Sequence, residues 1–468
     1  MVKIYLDWNV MAQIKDGVHP ELETILIDNK KILLPYSTSH ISDILSSFKD
    51  DDKQKELIKK DLNFITRLTH NACLFNNGKD IILDFSSPEE YYQQRLDDKE
   101  LVEDLSIDKL FGHYEDDEVI GNLVKPFITL LKQIPLDIFL KETLENPQAA
   151  KQLEMIFPGL KDNPTMDGFF KAFGKMFKNL NEEDRYKDLR EIVQSGLAIN
   201  RDKISNSENP YEILQEKYRQ IGQSETRSSV SDKNAPKWFN EISNEYIKLD
   251  MHGYHQDRVN VKKGRKETFK NTTEDAFHAA FASTCNFYVI NDKKAIRKTI
   301  QVYQKLQINT IVFKPNEFVE FYKTYLDFKE KIWNILIVFD VIEKGEYLEE
   351  QLENGILRTY YLPHFSFDFF NKIIVVFPSN GDPLIILLSR IKPTNGHLYI
   401  MEIIKLVDDI IDLLGQDIDN FGKASEAELK EEIWVGRKWQ FNTITFRLVS
   451  TNGHVQLYFD QKESQQAT

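Results

Sequence analysis

Asp7, Asp43, Asp275 and Asp292 are the residues of this chain whose type and setting could do chemistry together. Asp7 closes a short apolar run, Lys3-Ile4-Tyr5-Leu6, and Asn9 follows it. Asp292 follows a second apolar run, Phe287-Tyr288-Val289-Ile290, and Asp275 lies at the head of an alanine-rich stretch. Taken singly, each has an ordinary explanation as a turn former, a helix cap or an acid near a helix N-terminus. Taken together they imply more. Carboxylates gathered closely repel, and the group tolerates full ionisation only around a cation. Ligands that are all oxygen indicate Mg²⁺ or Mn²⁺. Such an ion polarises a phosphoryl oxygen, lowers the pKa of a bound water and stabilises a leaving oxygen.

The elements that must position these acids are legible from hydrophobic spacing. The first apolar run reads as a buried strand, followed by short helical pieces over Val10–Lys15 and Glu21–Ile27. Lys31–Ser37 reads as a second buried strand, and Thr38–Phe48 as a helix capped by Ser37 or Thr38. His40 and Asp43 share one face of that helix. The opening is therefore β-α-β-α, the start of an α/β fold with a parallel sheet. Lys53–Thr69 continues as a longer helix. Further on, Thr273–Cys285 reads as a helix capped by Thr272 or Thr273, which puts Asp275 in its first turn. Asn286–Ile290 is a third strand, Lys293–Leu306 a helix, Thr310–Phe313 a fourth strand and Glu317–Phe328 a last helix. If the strands are parallel neighbours, Asp7 and Asp292 emerge at one sheet edge, where open parallel sheets place their sites. The intervening helices begin at that edge, so all four acids can converge.

The domain pattern has four parts. Residues 1–70 and 236–328 form two halves of one α/β domain. Residues 71–235 read as a helical insert, since a structureless loop of that length is implausible. It carries aromatic anchors at Phe169, Phe170 and Phe173, an acidic run over Asp97–Glu118 that reads as a solvated face, and a polar stretch over Asn200–Pro236. Residues 329–468 read as a separate α+β domain. Its strand-like runs are Trp333–Val341, Leu357–Leu362, Lys372–Phe377 and Pro383–Leu388, with an amphipathic helix over Leu398–Leu414. A terminal hairpin closes through Asn452-Gly453.

Composition sets outer bounds. At 468 residues the chain holds more than one core, and 41% hydrophobic with 29% charged residues is a soluble globular balance. Two cysteines, Cys73 and Cys285, are too few for a disulfide framework and wrongly spaced for zinc, so a cytoplasmic setting is expected. No signal peptide is visible, and no apolar run is long enough for a membrane span. The net charge of −14 argues against nucleic-acid binding over the whole surface. A local basic stretch nevertheless stands out: Arg258, Lys262, Lys263, Arg265 and Lys266, just before the alanine-rich helix, with Lys293 after Asp292. Cations there suit a phosphate backbone approaching the acidic site.

Asp-x-Asn after the first strand, an acid on the next strand's helix, Asp275-Ala276-Phe277-His278-Ala279-Ala280-Phe281-Ala282, and Tyr288-Val289-Ile290-Asn291-Asp292-Lys293 together resemble the PIN-domain nucleases. The ending Ile311-Val312-Phe313-Lys314-Pro315-Asn316-Glu317-Phe318 is similar to that family's last strand and turn. The resemblance covers roughly residues 1 to 70 and 236 to 326. It implies a PIN-like parallel sheet with flanking helices, in which Asp7, Asp43, Asp275 and Asp292 hold Mg²⁺ or Mn²⁺. Asn9, His40, His278 and Asn291 would support and orient them. The family commonly has Glu where Asp43 stands and an acid where Asn286 stands. Its usual reaction is hydrolysis of RNA to a 5′-phosphate and a 3′-hydroxyl.

The expectation is therefore a metal-dependent nuclease, an endoribonuclease with DNA left open as substrate. Bacterial relatives in the family serve as toxins or in phage defence. A regulatory protein or a second copy would be its other partner, with the C-terminal domain as the recognition or restraining part. The alternative is a non-catalytic PIN-like scaffold that holds RNA or protein without cutting.

Overall fold

The computed structural model describes residues 2–461 except 28, 30, 47–51, 103–142, 144, 166–167, 170, 173–174, 176–184, 223–234, 258–268, 328–330, 381–383, 391–395, 432–433 and 452. It is a mixed α/β architecture: a parallel sheet flanked by helices, and an antiparallel sheet domain.

The first strand, β1 (Val2–Leu6), is buried along its whole length. Its two faces serve two cores: Tyr5 joins one, Ile4 and Leu6 the other. Asp7 ends it and caps the helix Trp8–Lys15. The helix Pro20–Leu26 follows. The run Lys31–Ser37 is not one strand. It divides into β2 (Ile32–Leu33), which pairs with β1, and β3 (Tyr36–Ser37), which belongs to another sheet. Pro35 lies at the break, lacking an N–H for a ladder and restricting Leu34 before it. The helices Thr38–Ser46 and Asp52–Thr69 fall where the spacing predicts.

Residues 71–85 are not helical. They form a hairpin, β4 (Ala72–Asn76) and β5 (Ile81–Phe85), and β4 pairs parallel with β3. Cys73 packs in one core while Ala72, Leu74 and Ile81 pack in the other, so this hairpin is integral to the α/β body. The helix Pro88–Val102 follows it, and most of the acidic run 97–118 lies outside the described residues. So do Phe170 and Phe173, whereas Phe169 lies 5.3 Å from Phe157, ring to ring. Later helices in this region are Pro147–Ile156, Arg185–Gly196, Arg201–Ser205 and Pro210–Gln220.

The helix Lys237–Met251 packs on the alanine-rich helix, which is described from Phe269 to Ala282. That helix begins before Thr272, so neither Thr272 nor Thr273 caps it and Asp275 lies beyond its first turn. Thr273 instead donates its hydroxyl to the Phe269 carbonyl at 2.9 Å. Next come β6 (Phe287–Val289), the helix Lys293–Lys305, β7 (Ile311–Phe313) and the helix Pro315–Tyr325. The sheet order is β2-β1-β6-β7, all parallel, with Leu6 opposite Val289.

The C-terminal part differs from expectation at its start: Trp333–Lys344 is a helix, not a strand. A continuous apolar run does not distinguish the two by periodicity. Seven antiparallel strands follow: β8 (Tyr347–Leu352), β9 (Gly355–Ser366), β10 (Phe370–Pro378), β11 (Ile385–Ser389), β12 (Arg437–Phe441), β13 (Ile444–Thr451) and β14 (His454–Gln461). The helix Gly396–Leu414 packs with them in a third core. The β13–β14 hairpin closes as predicted, with Thr451 opposite His454 and Gly453 at φ 75°. This domain docks on the parallel sheet through buried charge. Lys3 Nζ lies 3.0 Å from Glu402 Oε1, and Arg390 lies 2.9 Å from the other oxygen. Among the described residues no helix is long and apolar enough to cross a membrane.

Candidate active site

The site is built at the carboxyl edge of the parallel sheet. Asp7 leaves β1 with its backbone N–H donating to the Val289 carbonyl at 3.0 Å, which fixes it beside β6. Its carboxylate is buried. Oδ2 accepts the Asn9 backbone N–H at 3.2 Å and Oδ1 accepts the Tyr288 hydroxyl at 3.3 Å. Burial raises the Asp7 pKa, His278 draws it back and the Asp43 charge adds to the rise.

Asp43, on the helix Thr38–Ser46, meets the alanine-rich helix through His278, whose Nε2 donates to Asp43 Oδ2 at 2.9 Å. Burial disfavours charge on His278, but the Asp43 hydrogen bond and the charges of Asp43, Asp7 and Glu274 outweigh it and raise its pKa. In the imidazolium form both ring nitrogens donate, Nδ1 to the Tyr5 hydroxyl oxygen at 2.7 Å, and that hydroxyl is hydrogen-bonded to Ser37 Oγ at 2.6 Å. His40 is the opposite case. The Ser37 N–H donates to its Nδ1 at 2.9 Å, so Nε2 carries the proton given to the Leu6 carbonyl at 2.8 Å. Burial and the neighbouring His278 hold it neutral, well below the usual histidine range.

Asp275 faces this group from the alanine-rich helix. Burial pushes its carboxyl well above the usual range, Asp257 adds to the rise, Lys298 opposes it, and Asp7 and Asp43 push it further. The charges of Asp7, Asp43 and Asp275 therefore influence one another. Asp292 is placed differently. It is exposed, and its Oδ1 caps the helix Lys293–Lys305 by accepting from Lys294 and Ala295 N–H at 2.7 and 2.9 Å. Of the expected supports, Asn9 touches Asp7 through its backbone while its side chain is exposed. Asn291 donates to Gln13 at 3.0 Å. Arg258, Lys262, Lys263, Arg265 and Lys266 lie outside the described residues, and Lys293 is exposed beside Asp292.

Several residues around the site were not singled out from the sequence. Glu274 points the buried Oε2 of its carboxylate into the interior with no hydrogen-bond partner. Lys298 is fully buried and bridges Asp250 Oδ1 at 3.0 Å and Asp257 Oδ2 at 2.7 Å. Asp250 also takes Arg190 at 2.9 Å and the Tyr186 hydroxyl at 2.7 Å. Burial works to raise Asp250, yet Lys298 and Arg190 hold it below its usual range. One signal existed for Lys298: it falls on the apolar stripe with Ala295 and Val302.

The donor set fits a divalent cation in chemistry and charge. Every candidate ligand is a carboxylate, one buried carboxylate oxygen has no partner, and Asp275 is driven toward protonation first by burial and then by its acidic neighbours. Among the described residues, however, no group of three or more His, Cys, Asp or Glu side chains already stands in a metal-holding arrangement. Closing a coordination shell requires these side chains to turn toward the ion.

Comparison with protein families, with curated proteins and with solved structures gives no match to this chain.

Proposed function

We propose that this chain is a divalent-metal-dependent nuclease built on a PIN-like domain, hydrolysing RNA to 5′-phosphate and 3′-hydroxyl ends. The observation that carries the reading is the buried Asp7 carboxylate at the parallel sheet's edge, acting on Asp43 and Asp275. A fold does not imply an activity, so the argument rests on this site.

Asp7, Asp43 and Asp275 would hold the ion, with Asp292 at the exposed side. Bound there, Mg²⁺ or Mn²⁺ supplies a Lewis acid for the phosphoryl oxygen and lowers the pKa of water. The chain's own residues do the positioning. Tyr288 and the Asn9 N–H each hold one oxygen of Asp7, and His278 holds Asp43. His40, fixed neutral between Ser37 and Leu6, locks the helix of Asp43 to the end of β1. The basic stretch from Arg258 to Lys266, with Lys293, would meet the phosphate backbone.

A second reading, a PIN-like scaffold that binds RNA or protein without cutting, is favoured by the lack of a ready-made metal group among the described residues. Labelled single-stranded RNA and DNA incubated with Mn²⁺ or Mg²⁺ separate the two readings. The nuclease cuts RNA, loses activity in EDTA and loses it in Asp7→Asn while remaining folded. Absence of cutting by the full chain, and by the chain shortened after about residue 330, supports the scaffold. Reversing Lys262, Lys263, Arg265 and Lys266 to Glu should weaken RNA binding and flatten its salt dependence. An unchanged slope would remove that stretch from the substrate path.

A further inference from the structure

Glu274 stands one helical turn before His278, so the two side chains share a face of the alanine-rich helix. His278 on that face holds Asp43 at 2.9 Å, so Glu274 lies on the helix face turned toward Asp43. After burial itself, the charge of Asp43 is the strongest influence on Glu274. Its cationic neighbours are His278, Lys270 and Arg95, yet its Oε2 is buried without a hydrogen-bond partner. A carboxylate oxygen left in that condition carries the full cost of its lost hydration. Asp275 is one residue further round the helix, and Asp257 and Lys298 are the strongest of its charged neighbours. The alanine-rich helix thus offers two adjacent carboxylates to two sides of the site.

We propose that Glu274 is a ligand of the divalent ion in this site, its buried Oε2 completing the shell on the Asp43–His278 side. The missing partner of that oxygen is then the ion itself. His278 neutralises one oxygen of Asp43 and holds that side chain in place. This inference rests on the metal-dependent reading given above, and goes beyond it by assigning a ligand outside the four aspartates.

Mn²⁺ binding to the full chain, followed by titration calorimetry and by the electron paramagnetic signal of free Mn²⁺, tests it without reference to cleavage. Glu274→Gln should weaken Mn²⁺ binding about ten-fold or more and shrink the rise in unfolding temperature that Mn²⁺ produces. Its unfolding temperature in EDTA should be no lower than that of the wild type, since an unpaired buried carboxylate has been removed. Should the glutamine variant lose its fold, Glu274→Asp, which shortens the reach by one methylene, is measured the same way and should also bind more weakly. A folded variant that binds Mn²⁺ as tightly as the wild type overturns the assignment and leaves the metal site standing. If the wild type itself binds no Mn²⁺, the metal-dependent reading falls and Glu274 falls with it.

Discussion

His278 Nε2 lies 2.9 Å from Asp43 Oδ2, joining two helices whose contributing residues are 235 positions apart. The same ring reaches Tyr5 on β1 through Nδ1 at 2.7 Å. One buried imidazole therefore ties the helix of Asp43, the alanine-rich helix and the strand of Asp7 together. His278→Ala should lower stability by about 1–3 kcal/mol, because Asp43 and Tyr5 each lose a partner. It should also reduce metal-dependent cleavage by about 10–100-fold. Urea unfolding and the RNA assay read the two effects separately.

Glu274 makes the metal-free protein sensitive to pH. Its carboxyl is pushed up to about 7, mainly by burial and then by Asp43. A raised carboxyl binds its proton more tightly in the folded state, so stability is lost as pH rises from the ordinary Glu range toward about 7. Relative to Glu274→Gln, the wild type in EDTA should lose on the order of 3 kcal/mol across that window. Saturating Mn²⁺ should remove the difference. Paired denaturation curves at several pH values measure it.

Histidine contributes in a neighbouring window. His278 is raised in the folded state, so its contribution is fully present below the unfolded value of about 6.5 and is lost as pH rises through the folded value. His40 is depressed, so its contribution is present above that same unfolded value and is lost as pH falls toward the folded one. Imidazole proton resonances followed against pH should show one histidine titrating above the normal range and another still neutral well below it. Two histidines titrating normally would contradict both environments.

Lys298 is the counter-ion of two acids, the buried Asp250 at 3.0 Å and the part-buried Asp257 at 2.7 Å. Lys298→Met takes the ammonium from Asp257 and leaves Asp250 with Arg190, the Tyr186 hydroxyl and the Asp257 N–H, and should cost about 3–5 kcal/mol. Adding Asp250→Asn in the same chain should recover part of that loss. Denaturant midpoints of the single and double variants measure the coupling.

The contact between the parallel sheet and the helix Gly396–Leu414 makes a parallel case. Burial alone would raise Glu402, but Arg390 and Lys3 hold it below its usual range, and so ionised. Glu402→Gln strands the Lys3 ammonium, which otherwise donates to the Thr284 carbonyl at 2.7 Å. A loss of about 3–5 kcal/mol is expected. Limited proteolysis should then release the C-terminal domain sooner than in the wild type.

Much of the frame was written locally. The buried β1, the acids after β1 and β6, and the helices Asp52–Thr69, Lys293–Lys305 and Gly396–Leu414 follow from apolar spacing and caps. Those signals act over a few residues, and neighbours in sequence are enough to produce them. What the sequence left open depended on distant partners. Pro35 divides a run of apolar residues between two sheets because β1 takes one half and β4 the other. The apolar run Trp333–Val341 became a helix because its period is ambiguous and a sheet was available to cover one face. Asp292 carries the same motif as a ligand would, yet it is exposed and its Oδ1 caps a helix. Glu274, adjacent to the expected Asp275, became notable only when packing buried its oxygen without a partner. Residue type and spacing determined which acids could reach the sheet edge. Burial and partnership, which long-range packing alone sets, decided what each carboxylate experiences there.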